Sequence, residues 1–288
     1  MPHSNRKKRN PTSAQKRFQV TDDDGWTHVA NGGNVRRAVR TTKRNDREEN
    51  TGADEEELVL SPAEAPARLT FDELEAQYRG YKERWVQSET WQRLKGQLDQ
   101  RIRDQESETN EDSHDLDNNT MPIGLVDQIV CIGLGSPSGF LRDGWVDRRA
   151  VSMYQLAALD TIRDILTTSN RSPSLSFPVY AQDPVFNALD RALLESLGIM
   201  VVESPNAFER VTSKTLLFCP GAERKHLDML LPSNPKLVLG GPLENTESSI
   251  IQTYAEKTES RVLVPFSAQE HAFWKMRLYI MSQLEGDS

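Results

Sequence analysis

The chain has little that would tie it to an oxidising compartment or a bilayer. Its 288 residues contain two cysteines, Cys131 and Cys219. These are too few for a disulfide framework, and each sits in an apolar run where a reduced, buried thiol is expected. No stretch approaches the roughly 18 consecutive apolar residues of a membrane helix. The opening Met-Pro-His-Ser-Asn-Arg-Lys-Lys-Arg lacks the apolar core of a secretory signal. These absences predict an intracellular protein, cytoplasmic or nuclear, with no membrane partner. Histidine is also scarce. His3, His28 and His114 fall in polar segments, and His226 and His271 have no Cys or His at ligand spacing, so no metal site is expected.

Apolar residues make up only 36% of the chain, so core-forming residues must be concentrated in part of it. Residues 1–44 carry 11 Lys or Arg against 3 acids, a balance of 11 − 3 = +8, and read as a disordered arm. Arg6-Lys7-Lys8-Arg9 and Lys16-Arg17 would give this tail at most non-specific, salt-dependent attraction to nucleic acid, or an import signal. Residues 45–67 reverse the sign, with 8 acids and the single base Arg47, and read as a solvated linker. The arm thus spans 1–67.

From Thr70 the texture changes. Thr70-Phe71-Asp72-Glu73 is a capping box, and Phe71, Leu74, Tyr78, Tyr81 and Trp85 recur at helical spacing. An amphipathic helix over 68–103 is predicted, continuous or broken near Ser88 or Gly96. Its stripe either packs on its own domain or docks a protein partner. Residues 104–120, with seven acids and no base, read as an acidic linker.

From residue 121 to 288, short apolar runs alternate with helical ones, which predicts an α/β Rossmann-like three-layer sandwich with a mostly parallel sheet. Expected strands are 128–132, 177–181, 199–202, 215–219, 236–239 and 261–264. Expected helices are 149–168, 184–197, 223–231, 246–257 and a last one carrying Phe273 to Ile280. The first five strands are expected in the order 3-2-1-4-5.

That order puts the ends of strands one and four at a switch point, where ligands bind in such sheets. Ile132-Gly133-Leu134-Gly135-Ser136-Pro137-Ser138-Gly139 leaves strand one, and Cys219-Pro220-Gly221 leaves strand four. The candidate cofactor-binding set is therefore Gly133, Gly135, Ser136, Gly139, Asp183, Pro220 and Gly221. Asp183 is the candidate for ribose hydroxyls; as a local device it would instead cap a helix beginning at Pro184. The G-x-G-x-x-x-G spacing and the late start of the next helix depart from the dinucleotide fingerprint, and the cofactor's identity stays open. No catalytic residues are assigned. Cys219 with Glu223 and His226 imitates an activated thiol site, but a buried thiol beside a solvated helix face is the simpler reading.

Several segments together resemble the Sensitivity to Red Light Reduced domain family over roughly residues 125–245. They are Cys131-Ile132-Gly133-Leu134-Gly135, Ser152-Met153-Tyr154-Gln155-Leu156-Ala157, Tyr180-Ala181-Gln182-Asp183-Pro184-Val185-Phe186, Leu197-Gly198-Ile199, Leu217-Phe218-Cys219-Pro220-Gly221-Ala222-Glu223 and Leu237-Val238-Leu239-Gly240-Gly241. The chain departs from the family pattern at Pro220-Gly221, where a Pro-His pair is usual, and at Gly240-Gly241, where an Asn is usual. The resemblance implies a regulatory protein linked to circadian and light responses and to control of haem biosynthesis, without a settled catalytic activity. It leaves three readings: a regulator with protein partners and a nucleotide-like ligand; an enzyme using S-adenosylmethionine or a dinucleotide; or an interaction scaffold working through the 68–103 helix.

Overall fold

The computed structural model describes residues 17–21, 27–31, 61–111, 125–140, 148–169, 177–244 and 246–282. Two compact units divide the chain. In the N-terminal one, β1 (Arg17–Thr21) pairs antiparallel with β2 (Thr27–Asn31), Gln19 facing Val29. This hairpin lies inside the arm expected to lack structure; the rest of that arm falls outside the described residues.

The larger unit begins with two helices. In α1 (Phe71–Val86) the Thr70 hydroxyl accepts from the Glu73 N–H while the Glu73 carboxylate accepts from the Thr70 N–H, the expected capping box. The helix breaks at Ser88, whose hydroxyl donates to the Trp85 carbonyl and accepts from the Trp91 N–H. Then α2 (Glu89–Glu111) runs well past residue 103 into the segment read as a flexible linker. Residues 112–120 of that linker lie outside the described residues.

A seven-stranded sheet follows, built of β3 (Gln128–Ile132), β4 (Val179–Gln182), β5 (Met200–Val201), β6 (Thr215–Cys219), β7 (Leu237–Gly240), β8 (Thr258–Val262) and β9 (Arg277–Met281). The spatial order is β5-β4-β3-β6-β7-β9-β8. The first five strands are parallel in the expected order, and β9 runs antiparallel between β7 and β8. The connecting helices are α3 (Arg149–Ser169), α4 (Ala188–Ser196), α5 (Arg224–Leu230) and α6 (Ser249–Glu256).

Alternation along the strands supplies both faces of the sheet. Ile129, Cys131, Leu216, Phe218, Leu237 and Leu239 join a core with α1 to α4, whereas Val130, Ile132, Leu217, Cys219 and Val238 join one with α5 and α6. This is the expected three-layer sandwich. The expected last helix is a correction. Residues 270–273 form a 3₁₀ turn, and Arg277–Met281 is a strand whose Leu278 and Ile280 face one core while Tyr279 faces the other. A short apolar run does not distinguish the two periods until its alternation is weighed against sheet partners.

The α1 stripe belongs to the core. Leu74, Tyr78 and Trp85 are buried, and Trp85 lies 4.7 Å from the Phe273 ring and 5.5 Å from the Phe266 ring. Buried Asp160 of α3 accepts from the Tyr78 hydroxyl (2.6 Å) and Lys82 Nζ (2.7 Å) and pairs with Arg163 (2.5 Å). Trp85 Nε1 donates to the Thr161 hydroxyl at 3.0 Å. The helix is thus fastened to α3 by apolar burial and a paired buried charge, and its apolar face is not free to dock a partner.

Candidate functional site

The parallel strands β3, β4 and β6 deliver all the candidate residues to one end of the sheet. Gly133 and Gly135 leave β3 with φ of 76° and 72°, a left-handed conformation costly for a side chain. A Cβ on Gly133 would sit 2.6 Å from the Gly221 carbonyl carbon, and one on Gly221 would sit 2.5 Å from the Gly133 oxygen. The two turns therefore converge, as the switch-point reading requires, but they pack backbone to backbone. Part of their glycine content serves that mutual contact.

The loop divides into two halves of different character. Gly133, Gly135, Pro220 and Asp183 are half-buried, Gly221 is exposed, and together they form the mouth of the switch point. Ser136, Pro137, Ser138 and Gly139 are buried. Gly139 is roofed by Ala63, whose methyl would meet a Gly139 Cβ at 2.8 Å.

That roof corrects the expectation of a solvated linker through residue 67. Ala63 is 4% exposed, its N–H donates to the Val185 carbonyl, and Glu64 and Phe140 exchange backbone bonds of 2.8 and 2.9 Å. Asn187 Nδ2 completes the tie by donating to the Ala63 carbonyl at 3.0 Å. Residues 63–64 thus form a strap across the buried half of the loop.

Asp190, fully buried on α4, organises that half. Its carboxylate accepts from the Ser136 hydroxyl (2.6 Å), the Ser138 N–H (2.8 Å) and the Asn187 N–H (3.1 Å). The Ser136 hydroxyl in turn accepts from the Gly139 N–H at 2.8 Å. Asn187, not Asp183, caps α4, its Oδ1 accepting from the Leu189 and Asp190 N–H groups. The Asn187-x-x-Asp190 spacing is a capping-box signal present in the sequence that the Asp183-Pro184 reading does not use.

Asp183 is tied differently. Oδ2 accepts from the Gly135 N–H at 2.8 Å and Oδ1 from the Val185 N–H at 3.0 Å. Burial lifts its carboxyl above the ordinary carboxylate range, opposed by those two N–H groups; nearby Asp190 raises it further and His226 lowers it. His226 lies 5.6 Å from the Phe208 ring, beside the same mouth.

The thiols offer no nucleophile. Burial pushes Cys219 up to about 12 and Cys131 well above its usual value, so neither carries a thiolate near neutrality. They lie in opposite cores of the sandwich. Among the described residues no group of three or more His, Cys, Asp or Glu is arranged to hold a metal ion, and no helix is long and apolar enough to cross a membrane.

No curated protein matches the chain. A family model describing the SRR1 domain matches residues 101–280, a span running from α2 to β9 and enclosing both glycine turns, Asp183 and the Asn187–Asp190 cap. The match covers more than half of the sequence, and the chain belongs to the SRR1 domain family.

Proposed function

We propose that this SRR1-domain protein is a regulator that binds a nucleoside-type ligand at the mouth formed by Gly133, Gly135, Asp183 and Pro220-Gly221. The observation that carries the reading is Asp183. It is a half-buried carboxylate immediately after β4, fixed by the Gly135 and Val185 N–H groups. Each oxygen keeps a further lone pair for a ribose hydroxyl.

Hydroxyls suit this mouth better than phosphates. The Gly135, Ser138 and Gly139 N–H groups that would cradle a phosphate already donate to Asp183, Asp190 and Ser136. Two carboxylates beside the loop oppose an added anion. Ser136 and Gly139, buried under the strap, act in this reading as support for the mouth. A cationic nucleoside such as S-adenosylmethionine is favoured over a dinucleotide. The roles in circadian and light responses and in haem biosynthesis, implied by the family resemblance, belong to this proposal and would be exercised through protein partners.

A second reading is an enzyme using S-adenosylmethionine at the same mouth, whose N–H groups are already taken by Asp183, Asp190 and Ser136 and so suit a nucleoside better than a phosphate.

Thermal denaturation with adenosine, S-adenosylmethionine, S-adenosylhomocysteine, ATP and NAD tests the proposal. A nucleoside at 100 times its dissociation constant stabilises the native state by about 2.7 kcal/mol. The expected result is a shift with adenosine or its sulfonium derivative and a weaker one with ATP or NAD. No shift with any of the five contradicts a ligand-reading function. Conversion of bound S-adenosylmethionine to S-adenosylhomocysteine would favour the enzyme.

A further inference from the structure

The edge strand β8 differs from the rest of the large sheet. Unlike the buried β6 and β7, Thr258–Val262 has no buried residue, and among the described residues only β9 pairs with it. The Leu263 N–H donates to the Met276 carbonyl and the Ser282 N–H to the Lys257 carbonyl. In an antiparallel ladder bonded pairs alternate, so Glu259 and Arg261 turn their backbone groups toward β9. Thr258, Ser260 and Val262 turn theirs outward. Three residues' worth of N–H and C=O groups therefore form an open pairing edge.

Its charges are arranged for self-recognition. Charged side chains on an edge strand ordinarily oppose pairing, but here the charges are of opposite sign, Glu259 and Arg261 flanking Ser260 symmetrically. A second β8 laid antiparallel about a two-fold axis through Ser260 places Glu259 opposite the Arg261 of the other copy, and Arg261 opposite its Glu259. Thr258 then faces Val262. The charge pairs fall at the non-bonded positions, where facing residues approach most closely. Within one copy Arg261 Nε already meets Glu259 Oε1 at 2.9 Å, so pairing would join two ion pairs into a four-charge network. Val262, at the end of the edge, is an exposed apolar residue (55%).

We infer that β8 is a homodimerisation edge, joining two copies of this chain into one continuous sheet through a two-fold centred on Ser260. The occupant is a second copy because the edge complements itself in charge at the only register that also pairs all three outward-facing residues.

Sedimentation velocity of the full chain, wild type against Glu259→Arg, Arg261→Glu and the double exchange, tests this. Wild type should sediment as a dimer at about 100 μM. Each single exchange puts like charges opposite each other twice and should weaken the dimer about tenfold. The double exchange restores complementarity and should recover it. Ser260→Pro removes an outward N–H, keeps the backbone bonds between β8 and β9 but loses the hydroxyl's contacts with Arg277 and Glu244, and should also weaken the dimer, while circular dichroism and the melting temperature verify that each variant folds. A wild-type monomer at that concentration, a dimer indifferent to the single exchanges, or a double exchange that does not recover would each overturn the inference.

Discussion

The two halves of the loop after β3 both carry glycine and have opposite fates. Gly133 and Gly135 stay half-buried at the mouth, Gly135 bound to Asp183 and Gly133 abutting Gly221, while Ser136 to Gly139 is buried beneath Ala63 and bound to Asp190. Glycines and serines after a strand thus mark a place where backbone comes close to something. In the second half that something is the protein itself. In the proposed reading ligand contact falls to the first half, where the Asp183 carboxylate accepts from the Gly135 N–H.

Perturbing each half should separate them, with the buried half giving the largest stability losses. Asp190→Ala strands the Ser136 hydroxyl and the Ser138 and Asn187 N–H groups in a dry environment. It should cost about 3 kcal/mol, read as a lower urea midpoint at unchanged slope. Gly139→Ala drives a methyl to 2.8 Å from the Ala63 methyl and 2.9 Å from Asn187 Nδ2. It should cost about 2 kcal/mol and speed hydrogen exchange at the Ala63 and Glu64 amides. In the mouth, Gly135→Ala meets only the Ser152 hydroxyl, at 2.5 Å, and its main cost is the positive φ, about 1–2 kcal/mol.

Asp183→Asn should move stability least, within about 1 kcal/mol at neutral pH, and should change its pH dependence. Because burial raises the Asp183 carboxyl, the native state still holds a proton that the unfolded chain has lost in the window above the ordinary carboxylate range. Wild-type stability should therefore fall relative to Asp183→Asn as pH rises through that window. Urea melts at a series of pH values would show it, and parallel curves would refute it.

Much of this fold was legible in the sequence, for reasons that individual elements make plain. The β3 and β6 runs are apolar after their first residues, Gln128 and Thr215, because both faces of those strands are covered, and both strands match their expected bounds to the residue. Thr70 announced α1 through a local capping box. The strap was not legible, because nothing near Ala63 marks Val185 or Phe140 as its partners. The last strand was missed because the Phe273 to Ile280 run is apolar at both periods, and only pairing with β7 and β8 settles it. That the glycine turns and Asp183 share one end of the sheet follows from their positions at the ends of parallel strands. Asp190 escaped because its acceptors are taken up by a loop about fifty residues earlier in the chain.

The most direct test of the central claim is calorimetric titration of wild type and Asp183→Asn with adenosine and with 2′,3′-dideoxyadenosine. If the Asp183 carboxylate receives the ribose diol, adenosine binds wild type, and either removing the diol or replacing the carboxylate weakens binding at least about tenfold. Equal binding of both nucleosides to both proteins, or no binding to wild type, would contradict it.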